Sequence, residues 1–269
     1  MNTVDRLSTS ELKMLRSLTQ KKFRQREKKF ILEGWRGLKD ALNAGWRLDL
    51  LAVLRSYLDS ADYAGLLAQA QQRRTPLREI SEKELGEISM TVHAQGAVAI
   101  AHQRSVEPDE LLAVREGLFL LVDGVTDPGN LGTLIRTADW FGAAGVVLGR
   151  GSVELYNEKV VRSAIGSLFH LPVAENVELV EFIKALDAAG ASVAALAGDG
   201  TTDYRDVTVR PLTALVVGSE GHGVTPPVRA ASAQVVQIPR SGKAESLNVA
   251  VACGVVLAHV RHTTPKKGG

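Results

Sequence analysis

The chain has 269 residues, 45% of them hydrophobic and 23% charged, with a formal net charge of +2. That length fits one large domain or two small ones, and the apolar fraction excludes a disordered chain. No run approaches the roughly 18 uninterrupted apolar residues of a membrane-spanning helix, and Met1 to Asn43 lacks the apolar centre of a signal peptide. The single cysteine, Cys253, excludes an internal disulfide and gives little purchase to a zinc site. These features predict a soluble cytoplasmic protein with no membrane partner and no metal.

The small net charge hides a local excess. Between positions 13 and 29 stand Lys13, Arg16, Lys21, Lys22, Arg24, Arg26, Lys28 and Lys29 against one acid, Glu27. Such a patch attracts polyanions, nucleic acid above all, although a solvated helix face or a frayed basic arm has the same composition. Leu12, Leu15 and Leu18 recur every third residue and predict an amphipathic helix with the charges outside.

From Phe30 onward apolar runs alternate with helical patterns. Phe30-Ile31-Leu32 predicts a strand, and Gly34 to Ala44 a helix stopped by Gly45. Leu48 to Leu54 predicts a buried strand, and Asp59 to Gln72 a helix capped by Asp59 or Ser60. Ser81-Glu82-Lys83-Glu84 has the form of a capping box, in which serine and glutamate each satisfy the other's backbone N–H. Gly96 to Ala101 closes this α/β series as a strand.

Gln103 to Gly117 is polar and holds Glu107-Pro108-Asp109. The expected division is therefore an N-terminal domain over 1–105, a linker over 106–117, a second domain over 118–262 and a basic tail over 263–269. The second domain is expected to have strands at Leu118–Val122, Gly145–Leu148, Ser192–Leu196, Ala214–Val217 and Val235–Ile238. Helices are expected at Leu131–Phe141, Val177–Ala189 and Leu247–Val260. Apolar strands separated by helices predict a mostly parallel sheet covered on both faces. The fold class is α/β, a larger mostly parallel C-terminal sheet plus a smaller N-terminal α/β domain.

Ligands of open α/β sheets bind where strands end, and three such junctions carry unusual residues. The first is Asp127-Pro128-Gly129-Asn130, a turn in which Asn130 is placed to cap the next helix. That helix has Leu131, Leu134, Ile135, Ala138 and Phe141 on one face. Arg136 lies outside it, either as a surface arginine paired with Asp139 or as a functional cation. The second is Gly218-Ser219-Glu220-Gly221-His222-Gly223, whose spacing fits neither a P-loop nor a dinucleotide fingerprint. It is a simple glycine-rich turn, or a close backbone approach where Glu220 meets a cationic or hydroxyl-bearing ligand. The third runs from Ile238-Pro239-Arg240 to Ser246-Leu247-Asn248 and opens a helix, Val249 to Val260, that is apolar nearly all round. Such a helix is expected to be buried, making its N-terminus an interior site. Ser246 is a plain cap or part of that site.

Taken together, Asp127-Pro128-Gly129-Asn130-Leu131-Gly132 with Arg136, Gly218-Ser219-Glu220-Gly221, and Ile238-Pro239 with Ser246-Leu247-Asn248 resemble the three motifs of the SpoU class of SPOUT RNA methyltransferases. They stand in the family's order over Leu118 to Val260, and Arg162-Ser163 with Gly166 fits its middle segment. The N-terminal half resembles the substrate-binding domain of the ribosomal-RNA members. Arg240 departs from the apolar residue common at its position, and Val249-Ala250-Val251 from a serine-containing version.

The resemblance implies transfer of a methyl group from S-adenosylmethionine to a ribose 2′-hydroxyl of ribosomal RNA, of the 23S type. It implies a trefoil knot near the C-terminus and a homodimer. It assigns Asn130, Arg136, Glu220, Ser246 and Asn248 to catalysis, with Arg136 orienting phosphate rather than serving as a base. It places the cofactor at Leu196, Ala197, Gly218, Ile238 and Leu247. RNA contacts are expected from Lys13, Lys21, Lys22, Arg24, Arg26, Arg162 and Arg240. The alternatives are the same reaction on transfer RNA and a non-catalytic ribosome-assembly protein that binds RNA. A nicotinamide-dependent oxidoreductase lacks its Gly-x-Gly-x-x-Gly after any expected strand.

Overall fold

The computed structural model describes residues 4–89, 95–164 and 166–263. The basic tail expected from position 263 falls almost wholly outside them. In chain order the first elements are α1 (Thr9–Leu18), α2 (Lys21–Glu27), β1 (Lys29–Glu33), α3 (Trp35–Asn43), β2 (Leu48–Leu54), α4 (Arg55–Leu58), α5 (Ala61–Gln72), β3 (Leu77–Ile80), α6 (Glu82–Gly86) and β4 (Ala97–His102). There follow α7 (Pro108–Leu112), β5 (Gly117–Asp123), α8 (Pro128–Trp140), β6 (Gly145–Gly149), α9 (Glu158–Ala164), β7 (Val173–Val177), α10 (Leu179–Ala188), β8 (Ser192–Leu196) and β9 (Thr202–Asp203). Last come β10 (Leu212–Gly218), α11 (Pro226–Ala231), β11 (Gln234–Gln237) and α12 (Val249–Thr263).

These elements form two compact units. The smaller contains Met1–Arg104 together with Tyr156–Phe169; the larger contains Ser105–Leu155 and His170–Gly269. Tyr156–Phe169 joins the N-terminal unit for a packing reason: Tyr156 lies 4.7 Å from the Phe30 ring and Phe169 meets Trp46 edge-on at 4.9 Å.

The smaller unit has a four-stranded sheet in the order β1-β4-β2-β3, antiparallel except for β2 with β3. Leu15 and Leu18 of α1 are fully buried beside Ile31, Ile80 and Val98, so the leucine spacing does mark an inward face. Ser81 makes the expected capping box with Glu84. At α5 the cap residue is Ser60, and its side chain makes no capping bond.

The larger unit has a seven-stranded sheet, β7-β6-β5-β10-β8-β11-β9, in which every pairing is parallel. Phe119 and Leu121 of β5, Val147 of β6 and Ala214 and Val216 of β10 share a core with Leu179, Phe182, Ile183 and Leu186 of α10. Three strands absent from the sequence expectation, β3, β7 and β9, all lie at sheet edges.

The all-round burial expected of α12 is not observed. Val249, Ala250, Cys253, Val256, Leu257 and Val260 are buried, but Val251 is 55% and Val255 36% exposed. Neighbouring α8 carries Trp140 at 84% exposure. Burial of the Cys253 thiol in this core pushes its pKa well up, so it is held as a neutral apolar side chain.

Candidate active site

Because the strands of the larger unit run in parallel, the loops after β5, β10 and β11 leave from the same edge. The first of them is built around Asp127. Its Oδ1 accepts the backbone N–H of Asn130 at 2.8 Å, making Asp127 the cap of α8, with Pro128 opening the helix. The cap expected at Asn130 thus falls three residues earlier. Proline has no N–H to lose and a helical φ already set, which makes it a favoured first helical residue.

Asn130 is thereby released for another task. Its Nδ2 donates to Glu220 Oε1 of the glycine loop. Its Oδ1 accepts from Asn248 Nδ2 at 3.0 Å. Asn248 Oδ1 in turn accepts the backbone N–H groups of Ala250 and Val251 at 2.9 and 3.3 Å, capping α12. One side-chain amide therefore links the loops after all three strands.

The glycine loop folds onto itself. Gly223 N–H donates to Ser219 O at 2.8 Å, and a Cβ on Gly218 would lie 2.0 Å from the carbonyl carbon and oxygen of Gly223. No side chain fits at position 218. The partner of the close approach is thus the loop's own backbone. Asp123, buried at the end of β5, fastens the far side: its Oδ2 accepts from Thr225 N–H at 2.7 Å. Motif spacing does not single out Asp123, although a carboxylate ending an apolar strand is a usable signal.

A cavity of about 810 Å³ opens between these loops. Leu196, Ala197, Gly218, Ile238 and Leu247 all line it, as do Glu220, Arg240 and Ser246. Arg240 donates to Ala244 O at 3.2 Å within the same loop. Ser246 and Asn248 stand at the surface, so the start of α12 is an open site rather than an interior one. Arg136 does not line the cavity. It is exposed on α8, and the alternative pairing with Asp139 is absent: Arg136 has no ion pair among the described residues.

The expected RNA contacts lie mostly in the smaller unit. Lys13, Lys21, Lys22 and Arg26 are exposed on α1 and α2, with Arg26 2.7 Å from Glu27. Arg162 is exposed on α9. Arg24 must be withdrawn from this set. It is only 3% exposed, and its guanidinium donates to the carbonyls of Leu18 and Thr19 at 2.9 and 2.8 Å. Those carbonyls end α1, so the charge satisfies a helix terminus and faces the protein.

Comparison with known proteins agrees with this arrangement. Residues 117–258 match the SpoU rRNA methylase family, and residues 9–99 match the MRM3-like substrate binding domain. The chain is 33% identical to the 23S rRNA (guanosine(2553)-2′-O)-methyltransferase RlmP of Bacillus subtilis, over 97% of this chain and 100% of that one. Among solved structures, an AdoMet-bound rRNA methyltransferase from Sinorhizobium meliloti superimposes with a TM-score of 0.85 at 32% identity, covering 96% of this chain and 97% of its own. The SpoU methyltransferase AviRb of Streptomyces viridochromogenes, in complex with the cofactor AdoMet, gives 0.82 at 28% identity, over 95% and 98%. The loops tied through Asn130, the cavity between them and the two family matches lead to one statement: this chain belongs to the SpoU rRNA methylase family.

Proposed function

We propose that this protein methylates a ribose 2′-hydroxyl of large-subunit ribosomal RNA with S-adenosylmethionine as donor. The observation that carries the reading is the bridge from Asn130 to Glu220 and Asn248, which ties the three motif loops together. The likeness to the Bacillus subtilis 23S rRNA enzyme over the whole chain supports the choice of RNA.

The cavity fits the donor. Its volume lies within the range of small-molecule sites, about 300–1,000 Å³. Leu196, Val217, Ile238 and Leu247 supply apolar wall, while Gly198 and Gly242 leave main chain uncovered for polar contacts. When bound, S-adenosylmethionine supplies an electrophilic methyl group on a sulfonium.

A ribose hydroxyl is a weak nucleophile, so the protein's share is placement and charge. Arg136, exposed on α8 with no ion pair among the described residues, is suited to hold an RNA phosphate and, in a homodimer whose site draws on both copies, to stabilise negative charge growing on the attacking oxygen. A guanidinium stays protonated at any working pH, which argues against Arg136 as a base. Glu220, Asn130 and Asn248 hold the loops in register, and Ser246 contributes a hydroxyl at the cavity wall. Lys13, Lys21, Lys22, Arg26, Arg162 and Arg240 would meet the RNA backbone.

The same reading includes a homodimer, a knotted C-terminal segment and a cytoplasmic location. Trp140 of α8 and Val251 and Val255 of the adjacent α12 are exposed apolar side chains, which a second copy would cover. β11 lies on the far side of β8 from β10, yet α12 returns to pack on α8 and β10, a path consistent with threading.

Transfer of a labelled methyl group to unmodified ribosomal RNA, followed by mapping of ribose methylation, tests the reaction. Tight binding of the RNA without incorporation would make the protein an RNA-binding assembly factor instead.

A further inference from the structure

The smaller unit gathers aromatic rings at one end of its sheet. β1 and β2 both finish at this end, and β4 starts there: Gly34 N–H donates to Ala97 O and Leu54 N–H to Gly96 O. Trp35 opens α3 after β1, Tyr57 lies in α4 directly after β2, and Tyr63 is in the first turn of α5. Trp35 stacks on Tyr63 with ring centres 4.0 Å apart and planes 24° from parallel. Tyr57 completes the group, 5.6 Å from Trp35 and 5.3 Å from Tyr63. The chain has only seven tryptophans and tyrosines, and three of them are here.

Packing alone does not account for the group. All three residues remain partly open to solvent, whereas the unit's other aromatic group, Phe30, Trp46, Tyr156 and Phe169, is buried. The backbone makes room for them: Gly96 has a φ of +76°, and a Cβ there would lie 2.3 Å from the Tyr57 ring. Arg36, next to Trp35, is exposed and has no ion pair among the described residues. It lines a cavity of about 210 Å³ with Arg162. The two acids on that cavity are already engaged, Glu33 by Ser89 Oγ at 2.6 Å and Glu158 near the Arg24 guanidinium.

We infer that Trp35, Tyr57 and Tyr63 form a stacking platform for an unstacked base of the RNA substrate, with Arg36 taking the adjoining phosphate. This rests on the RNA-modifying reading above and adds to it a place where the substrate is held. Aromatic faces beside a free guanidinium are the pairing that binds single-stranded RNA, because every base has a π-face and every linkage a charge. The occupant is a nucleotide in a loop or bulge, since paired bases keep their faces covered.

Unmodified large-subunit ribosomal RNA transcript is the probe, with the full-length protein. Tyr63→Leu and Arg36→Gln should each weaken binding by about five- to a hundredfold and raise KM while leaving kcat intact. Tyr63→Phe, which keeps the ring, should restore binding to the level of the parent. Affinity within twofold for Tyr63→Leu and Arg36→Gln, with unchanged thermal melting, would overturn the platform even if methyl transfer proceeds normally. A parent protein that binds the transcript but transfers no methyl group, with binding still lost in Tyr63→Leu and rescued in Tyr63→Phe, would overturn the enzymatic reading and leave the platform standing. If Tyr63→Leu melts early, the comparison of Arg36→Gln with the parent decides, because that exposed side chain supports no packing.

Discussion

Asn248 donates from Nδ2 to Asn130 Oδ1 at 3.0 Å across 118 residues of chain. The bond joins the start of α12 to the first turn of α8, and Asn130 passes the link on to Glu220. Asn130→Ala should lower kcat/KM by about a hundredfold, the scale expected when reacting groups shift by an ångström. Asn248→Ala should cost about 1 kcal/mol of stability besides, because it also removes the cap of α12. The two losses of activity should be far from additive in the double variant, as measured by methyl transfer. Additive losses would show that the loops act independently.

Arg136→Ala should reduce turnover by about a hundredfold or more while stability changes by less than about 0.5 kcal/mol. The side chain is exposed and has no ion pair among the described residues, so its removal leaves no buried group behind. Affinity for S-adenosylmethionine, read by calorimetric titration, should stay the same. Arg136→Lys should recover part of the rate, since it keeps the charge and loses the fork geometry. Normal turnover in Arg136→Ala would remove this residue from the mechanism.

The basic run divides into two behaviours. Exchanging Lys13, Lys21, Lys22 and Arg26 for glutamine should weaken RNA binding and flatten its dependence on salt, the slope falling by about 0.7–0.9 for each phosphate no longer neutralised. Arg24→Ala should do the reverse, costing about 2–4 kcal/mol of stability, because it strips the donors from the buried Leu18 carbonyl and the partly buried Thr19 carbonyl. Thermal melts beside filter-binding curves at several salt concentrations separate the two.

Asp49 sets a pH dependence. Burial pushes its carboxyl pKa up, but hydrogen bonds from Lys29 and His102, with their charges, bring it net below the usual aspartate value. The contacts measure 2.6 Å to Lys29 and 2.5 Å to His102. A carboxylate with a depressed folded pKa stabilises the fold above the unfolded pKa of about 4, and that stabilisation fades as pH falls through the folded value. Asp49→Asn should therefore cost about 1 kcal/mol at neutral pH and progressively less below pH about 4, measured by denaturant unfolding. An equal cost at both pH values would show that packing, not charge, is responsible.

Central strands and edge strands differ in how clearly they are written. β2, β5, β8 and β10 are nearly continuous apolar runs, since strands covered on both faces need little else. β3 carries Arg78 and Glu79, and β7 carries Glu175 and Asn176 with Asn176 at a φ of +59°. Edge strands tolerate such charge and irregularity, and benefit from it by resisting further pairing, so they lack the pattern that marks a strand. The site shows the same division. The cavity-lining set, Leu196, Ala197, Gly218, Ile238 and Leu247, follows from motif resemblance alone and lies together in the structure. Asp123 does not, because a single carboxylate at a strand end has no local signature beyond its position.

The amino-acid sequence alone determined the alternation of strand and helix, the basic character of the first two helices and the ordered motif residues that mark the family. These depend on hydrophobic periodicity, composition and spacing, which act over a few turns of chain. Only the tertiary structure decided that Asp127 caps α8 and leaves Asn130 to hold three loops, that Arg24 faces inward, that Tyr156–Phe169 packs with the N-terminal unit, and that α12 keeps Val251 and Val255 in the open. The Asp127 cap and the Arg24 bonds are short-range, but the partners of Asn130 lie 90 and 118 residues away, and which distant surfaces meet depends on the strand order of the sheets rather than on any local pattern.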